Sequence, residues 1–185
     1  MKLWLLRHAQ VLVEPGLCYG ISELPADPEA TADAARRFAP CPAPGSALWC
    51  SPLQRTRELA QALREQRPDL TQPVLDDRLR EMDFGQWEMQ PWDRIDRSAI
   101  DAWVANFGRH RFGGRESAQE VIDRTARALQ QARSLALPEM VWVTHAGVIR
   151  AAIFLHAAPP GTPISSASQW PSSAPAMGQW ISLEF

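Results

Sequence analysis

Tyrosine is almost absent: the 185 residues hold one, Tyr19, against eight tryptophans. Cysteine is scarce too. Cys18, Cys41 and Cys50 are an odd set without paired spacing, which argues against a disulfide framework or a zinc site and points to reduced thiols. No apolar run approaches the ~20 residues that a membrane helix needs. The first apolar stretch, Leu3 to Leu6, is cut off by Arg7 and His8, and is too short for a signal peptide's apolar region. A cytoplasmic location is therefore expected. Net charge is small, -2, so nothing draws the chain generally to nucleic acid or to an anionic membrane, and neither is expected as a partner. Any affinity for anions has to be local. The sequence leaves the oligomeric state open.

What is present is an ordinary globular composition, 45% hydrophobic and 22% charged, long enough for one domain over residues 1–185 with a substantial core. Short apolar runs at Leu3–Leu6, Ser46–Cys50 and Met140–Val143 read as buried strands, with Val74-Leu75 as a shorter one. Between them lie helical stretches. Asp27-Pro28-Glu29 opens one that runs to about Phe38. Ser51-Pro52 opens a second, with Ser51 as its cap, running to about Gln66. Ser117 and Glu120 have capping-box spacing at the start of a long helix to about Ala136. A last helix covers about Val148 to Leu155. Alternating strands and helices imply an α/β/α sandwich of three layers around a mostly parallel sheet.

Residues 86–116 read as an excursion from the sheet, with short helices at Pro91–Asp96 and Ser98–Phe107 and a break at Gly113-Gly114. Trp87, Trp92 and Trp103 lie in it, while Trp4, Trp49 and Trp142 lie in candidate strands and read as packing. Residues 11–28 form a loop long enough to suggest a role in function. Ala157 to Ala176, rich in Pro, Ser and Ala, reads as a surface loop. Gly178 to Phe185 reads as an edge strand.

Chemistry-bearing residues stand where the strands end. Arg7 and His8 follow the first strand. Ser51-Pro-Leu-Gln-Arg55-Thr-Arg57 follows the second, and Thr144-His145-Ala146-Gly147-Val148-Ile149-Arg150 follows the last parallel one. Glu81 lies in Leu79-Arg-Glu-Met-Asp-Phe-Gly-Gln-Trp-Glu88. In open α/β sheets, ligands bind beyond the carboxyl ends of the strands. Together and in this order, the four motifs resemble the histidine phosphatase superfamily, the phosphoglycerate-mutase-like clan. The resemblance spans residue 3 to about 155. It implies the three-layer fold, with residues 86–116 as a small helical cap.

It also implies roles. His8 would be the nucleophile, giving a phosphohistidine. Arg7, Arg55 and a protonated His145 would surround the phosphoryl group. Glu81 would protonate the leaving oxygen and then activate water, with Asp83 and Glu88 the nearby alternatives. Gln10, Tyr19, Gly20 and Ala146 are the expected substrate contacts. A neutral imidazole suits nucleophilic attack near neutral pH, and fixed cations suit phosphoryl transfer without a metal or other cofactor. A metal site at His8 and His145 lacks further ligands at recognisable spacing, and arginines beside it would repel a cation.

Two positions depart from the family's commonest pattern. Ala9 stands where Gly usually follows Arg-His, and restricts φ. Gln10 stands where Glu is common. The clan's mutases are generally longer, so a phosphatase acting on a small phosphorylated substrate is the leading expectation. The Gly16–Pro25 stretch looks like the loop of alpha-ribazole phosphatases. Mutase-type phosphoryl transfer and an inactive scaffold that binds phosphorylated ligands are the alternatives.

Overall fold

Four parallel strands and one antiparallel edge strand form the sheet of the computed structural model, which describes residues 1–185. The strands are β1 (Lys2–Arg7), β2 (Ala47–Cys50), β3 (Val74–Leu75), β4 (Glu139–Thr144) and β5 (Trp180–Glu184), in the order β3-β2-β4-β1-β5. The helices are α1 (Pro28–Phe38), α2 (Gln54–Gln66), α3 (Arg97–Ala105), α4 (Ala118–Ser134) and α5 (Ala146–Ala157). Strand period decides the layers, because successive side chains point to opposite faces. Leu6, Leu48, Val141 and Val143 pack with Phe38 of α1 and Leu59 and Leu63 of α2. Leu3, Leu5, Met140 and Trp142 pack with Leu129 of α4 and Val148, Ile149 and Ala152 of α5. The expected sandwich is therefore the fold.

The helix starts follow local chemistry in two cases. Asp27 caps α1 by accepting from the Ala30 amide, with Pro28 in the first turn. Ser117 and Glu120 close a complete capping box on α4. The start of α2 corrects the sequence reading. Leu53, not Ser51, is its cap residue, and it has no side-chain capping bond. The helix's first amide, on Gln54, donates instead to Glu23 from the 11–28 loop at 2.7 Å. Ser51 is fully buried and its hydroxyl is engaged elsewhere.

A third apolar cluster lies beyond the sheet. Ile95, Phe107 and Phe112 meet Ala118 and Val121 of α4 and Phe154 of α5. Trp92 and Trp103 stack on Phe112. Only α3 is an α-helix here; the expected Pro91–Asp96 helix is a single 3-10 turn, Trp92–Arg94. The 157–176 stretch is not purely surface. Ile164 is buried in this cluster, and its amide donates to Gln119 at 2.8 Å.

Candidate active site

Three adjacent strands bring the site together. The ends of β2, β4 and β1 are neighbours in the sheet, and backbone bonds lock the first residues beyond them. The His8 amide donates to Thr144 at 3.0 Å, and the Ser51 amide donates to Val143 at 3.0 Å. The Thr144 hydroxyl donates to the Leu79 carbonyl at 2.8 Å, anchoring the segment that leads to Glu81. His8 and His145 consequently face each other with ring centroids 5.2 Å apart.

His8 is almost fully buried. Its Nδ1 lies 2.8 Å from the Ala9 carbonyl. A carbonyl can only accept, so Nδ1 carries the proton of the neutral ring and Nε2 keeps a lone pair. Burial, then the charges of Arg55 and Arg7, push the His8 pKa down to about 3 despite the opposing bond to Ala9. The ring is therefore neutral at physiological pH. The Ala9 side chain sits in the apolar layer beside α1 and α2. Its methyl is accommodated there, in place of the more usual glycine.

Arg55 is fully buried and lies in the first turn of α2. Two of its donors reach the carbonyls of Ser22 (2.8 Å) and Gly20, while its Nε has no partner. Arg7 donates to the Pro175 carbonyl at 3.0 Å and also has an unpartnered buried Nε. Burial lowers the pKa of both guanidiniums, with Glu81 and Tyr19 acting in the opposite sense. Neither arginine is in an ion pair with a carboxylate. Tyr19 lies against Arg55, 5.6 Å from guanidinium carbon to ring centroid.

Glu81 sits at the N-terminus of α5. Its carboxylate accepts from the Gly147 amide at 3.1 Å to each oxygen, and from the Met82 amide at 3.0 Å. A Cβ at position 147 would stand 2.1 Å from Glu81 Oε1, so only glycine admits this approach. Glu81 and Arg150 also line a narrow cleft of about 100 Å³ with Phe84, Trp103 and Trp170. On the other side Glu81 opens onto a wider, polar hollow of about 640 Å³.

His145 is fully buried. Burial first, then Arg55, His8, Arg124 and Arg7, hold its pKa well below the ordinary histidine value. Burial and these cations favour the neutral ring in the free protein. The expected substrate contacts divide. Tyr19 joins the arginines, and Ala146 begins α5 beside His145. Gly20 acts through its carbonyl on Arg55, and a Cβ there would strike the Met82 carbonyl at 1.8 Å. Gln10 is exposed and turns its amide onto the Val11 carbonyl.

Sequence reasoning gave no role to Gly147 or Arg150, gave Ser51 only the capping of α2, and read Glu88 only as a spare acid. Glu88 accepts from the amides of Gly20, Ile21, Ser22 and Phe84 and from the Ser22 hydroxyl. It thereby holds the loop whose carbonyls hold Arg55.

This arrangement defines a class. The chain belongs to the histidine phosphatase superfamily (branch 1), whose model matches residues 3–174. Among particular relatives, it is 29% identical over 111 residues to a Hydrogenobacter thermophilus protein provisionally named phosphoserine phosphatase 2. That match covers 58% of this chain, which spans about half the relative's length, 54%. A crystal structure of phosphoglycerate mutase from Thermus thermophilus is 28% identical, with a TM-score of 0.71 over all of this chain and 94% of that one. The alpha-ribazole phosphatase from Shigella flexneri shares the fold at a TM-score of 0.80, over all of this chain and 90% of that one, at 22% identity.

Proposed function

We propose that this chain is a metal-independent phosphomonoesterase that hydrolyses a small phosphorylated metabolite through a phosphohistidine on His8. The observation that carries the reading is the Nδ1 bond to Ala9. It leaves Nε2 of a neutral ring as the free nucleophile, among two arginines that lack ion-pair partners.

In the first step Nε2 attacks phosphorus, the N–P bond forms and the P–O ester bond breaks. Its electrons go to the leaving oxygen, which takes a proton from Glu81. In the second step the Glu81 carboxylate takes a proton from water. The hydroxide oxygen bonds to phosphorus, the N–P bond breaks, and phosphate leaves with His8 restored. Arg7 and Arg55 neutralise charge on the phosphoryl oxygens throughout. Arginine supplies the cations, which is why the reaction is proposed to need no metal.

Alpha-ribazole phosphate is the proposed substrate to test first, on the strength of the Gly16–Pro25 loop. O-phosphoserine and 3-phosphoglycerate belong beside it, after the names of the relatives. The test is phosphate release from this panel and from p-nitrophenyl phosphate, with and without a strong chelator. Turnover unaffected by the chelator is expected. Binding without turnover would point to a scaffold, and transfer of the phosphoryl group to a second hydroxyl would point to a mutase.

A further inference from the structure

One buried hydroxyl beside the site has its hydrogen bonding fixed by elimination. Ser51 Oγ lies 2.8 Å from His145 Nε2, and both residues are completely buried. Ser51 is held rigidly. Its amide donates to Val143, and its carbonyl accepts from the Thr56 hydroxyl at 2.9 Å. The Leu53 amide approaches Ser51 Oγ at 3.4 Å, so a lone pair of that oxygen faces a donor. The hydroxyl hydrogen has one acceptor in reach, His145 Nε2. Buried polar hydrogens are almost always used. If His145 donated from Nε2 instead, the Ser51 hydrogen would be buried and unsatisfied.

We infer that the Ser51 hydroxyl donates to His145 Nε2 and thereby fixes the single ring proton on Nδ1, aiming an N–H donor at the phosphoryl group. The second observation is on the other nitrogen: His145 Nδ1 is buried and has no partner in the protein. An N–H in that position has no acceptor within the protein and is a donor that a phosphoryl oxygen would satisfy. The cations near it, Arg55, Arg7 and Arg124, oppose a second ring proton. In the free protein His145 is thus a neutral ring whose one N–H is on Nδ1, with the positive charge on the arginines. Ser51 touches neither substrate nor reacting atoms; it is a positioning residue for His145.

The inference rests on the proposed phosphatase reading, but its first test does not need turnover. Long-range nitrogen–proton NMR on histidine-labelled wild-type protein at pH 7 reads the tautomer directly. His145 should show a protonated Nδ1 and an unprotonated Nε2. Adding inorganic phosphate should move the Nδ1–H resonance. A protonated Nε2 in the wild type, or an Nδ1–H indifferent to saturating phosphate, would overturn the inference.

Ser51→Ala should mix the two tautomers and lower kcat/KM for p-nitrophenyl phosphate by at least about tenfold. Removing one preorganised donor outright costs roughly 10²–10³-fold. Ser51→Thr keeps the hydroxyl, and should restore the Nδ1–H tautomer with most of the rate. A folded Ser51→Ala protein with the wild-type tautomer and wild-type rate would also overturn it. If the tautomer is as inferred but no phosphomonoester turns over, the functional reading fails and the positioning role of Ser51 stands.

Discussion

Gly147→Ala is a one-carbon test of where the proton donor sits. The added Cβ would lie 2.1 Å from Glu81 Oε1, whereas ordinary contact begins at 3.4 Å. Glu81 therefore has to retreat by about 1 Å, giving up its bonds to the Gly147 amide. A misplacement of ~1 Å costs on the order of 10²-fold in rate, and general acid catalysis as a whole is worth roughly 10²–10⁴-fold. Cleavage of an alkyl phosphate such as glycerol 2-phosphate should thus fall about 10²-fold. Cleavage of p-nitrophenyl phosphate should fall far less, because nitrophenolate leaves without a proton. Alanine favours a helix over glycine by ~1 kcal/mol, which offsets only part of the lost amide bonds, so the melting temperature of the variant is measured beside its rates. The assay is pre-steady-state cleavage of both substrates, with Glu81→Gln alongside. The double variant should be little worse than Glu81→Gln alone. An unchanged rate on the alkyl phosphate, or equal losses on both substrates, would refute this placement of Glu81.

Three further outcomes are expected from the geometry. His8 should remain neutral in nitrogen-shift titrations well below pH 6.5, with its transition near 3 in the folded protein; protonation near 6.5 would contradict its burial against Arg55. Because unfolded His8 binds a proton that the folded state refuses, this residue's contribution makes stability fall as pH drops below about 6.5, and it levels off near 3. That contribution should disappear from the pH–stability profile of His8→Gln. Glu88→Gln should weaken the clamp on Gly20, Ile21 and Ser22, each bond to a charged group being worth about 1.5–3 kcal/mol. Its melting temperature should drop, and the affinity for vanadate should fall as Arg55 loses its carbonyl partners; unchanged vanadate affinity would separate the clamp from the anion site.

Residues whose signal is local were legible in the sequence. Arg7, His8 and His145 stand where apolar strands switch abruptly to polar residues, and parallel strands carry such ends to one edge of the sheet. Asp27-Pro28 and Ser117…Glu120 announced their helices because capping is settled within three residues. Ser51-Pro52 has the same local look and misled. Its hydroxyl is taken by His145, 94 positions away, and Glu23 covers the α2 amide from another loop. The Glu88 clamp, the Gly147 approach to Glu81 and the burial of Ile164 are long-range contacts of the same kind. Local pattern contains none of them. The charge state of His145 likewise depends on burial and on which cations surround it, which the family motif does not state.

The central claim is that His8 carries the phosphoryl group during turnover. Rapid acid-free quenching of wild-type protein with labelled p-nitrophenyl phosphate, with mapping of the labelled residue, tests it most directly. A phosphoryl group on His8, base-stable and acid-labile, is the predicted result, with more of it in Glu81→Gln because water attack on the intermediate is slowed. Label on another residue, or near-normal turnover by His8→Ala, would contradict the account.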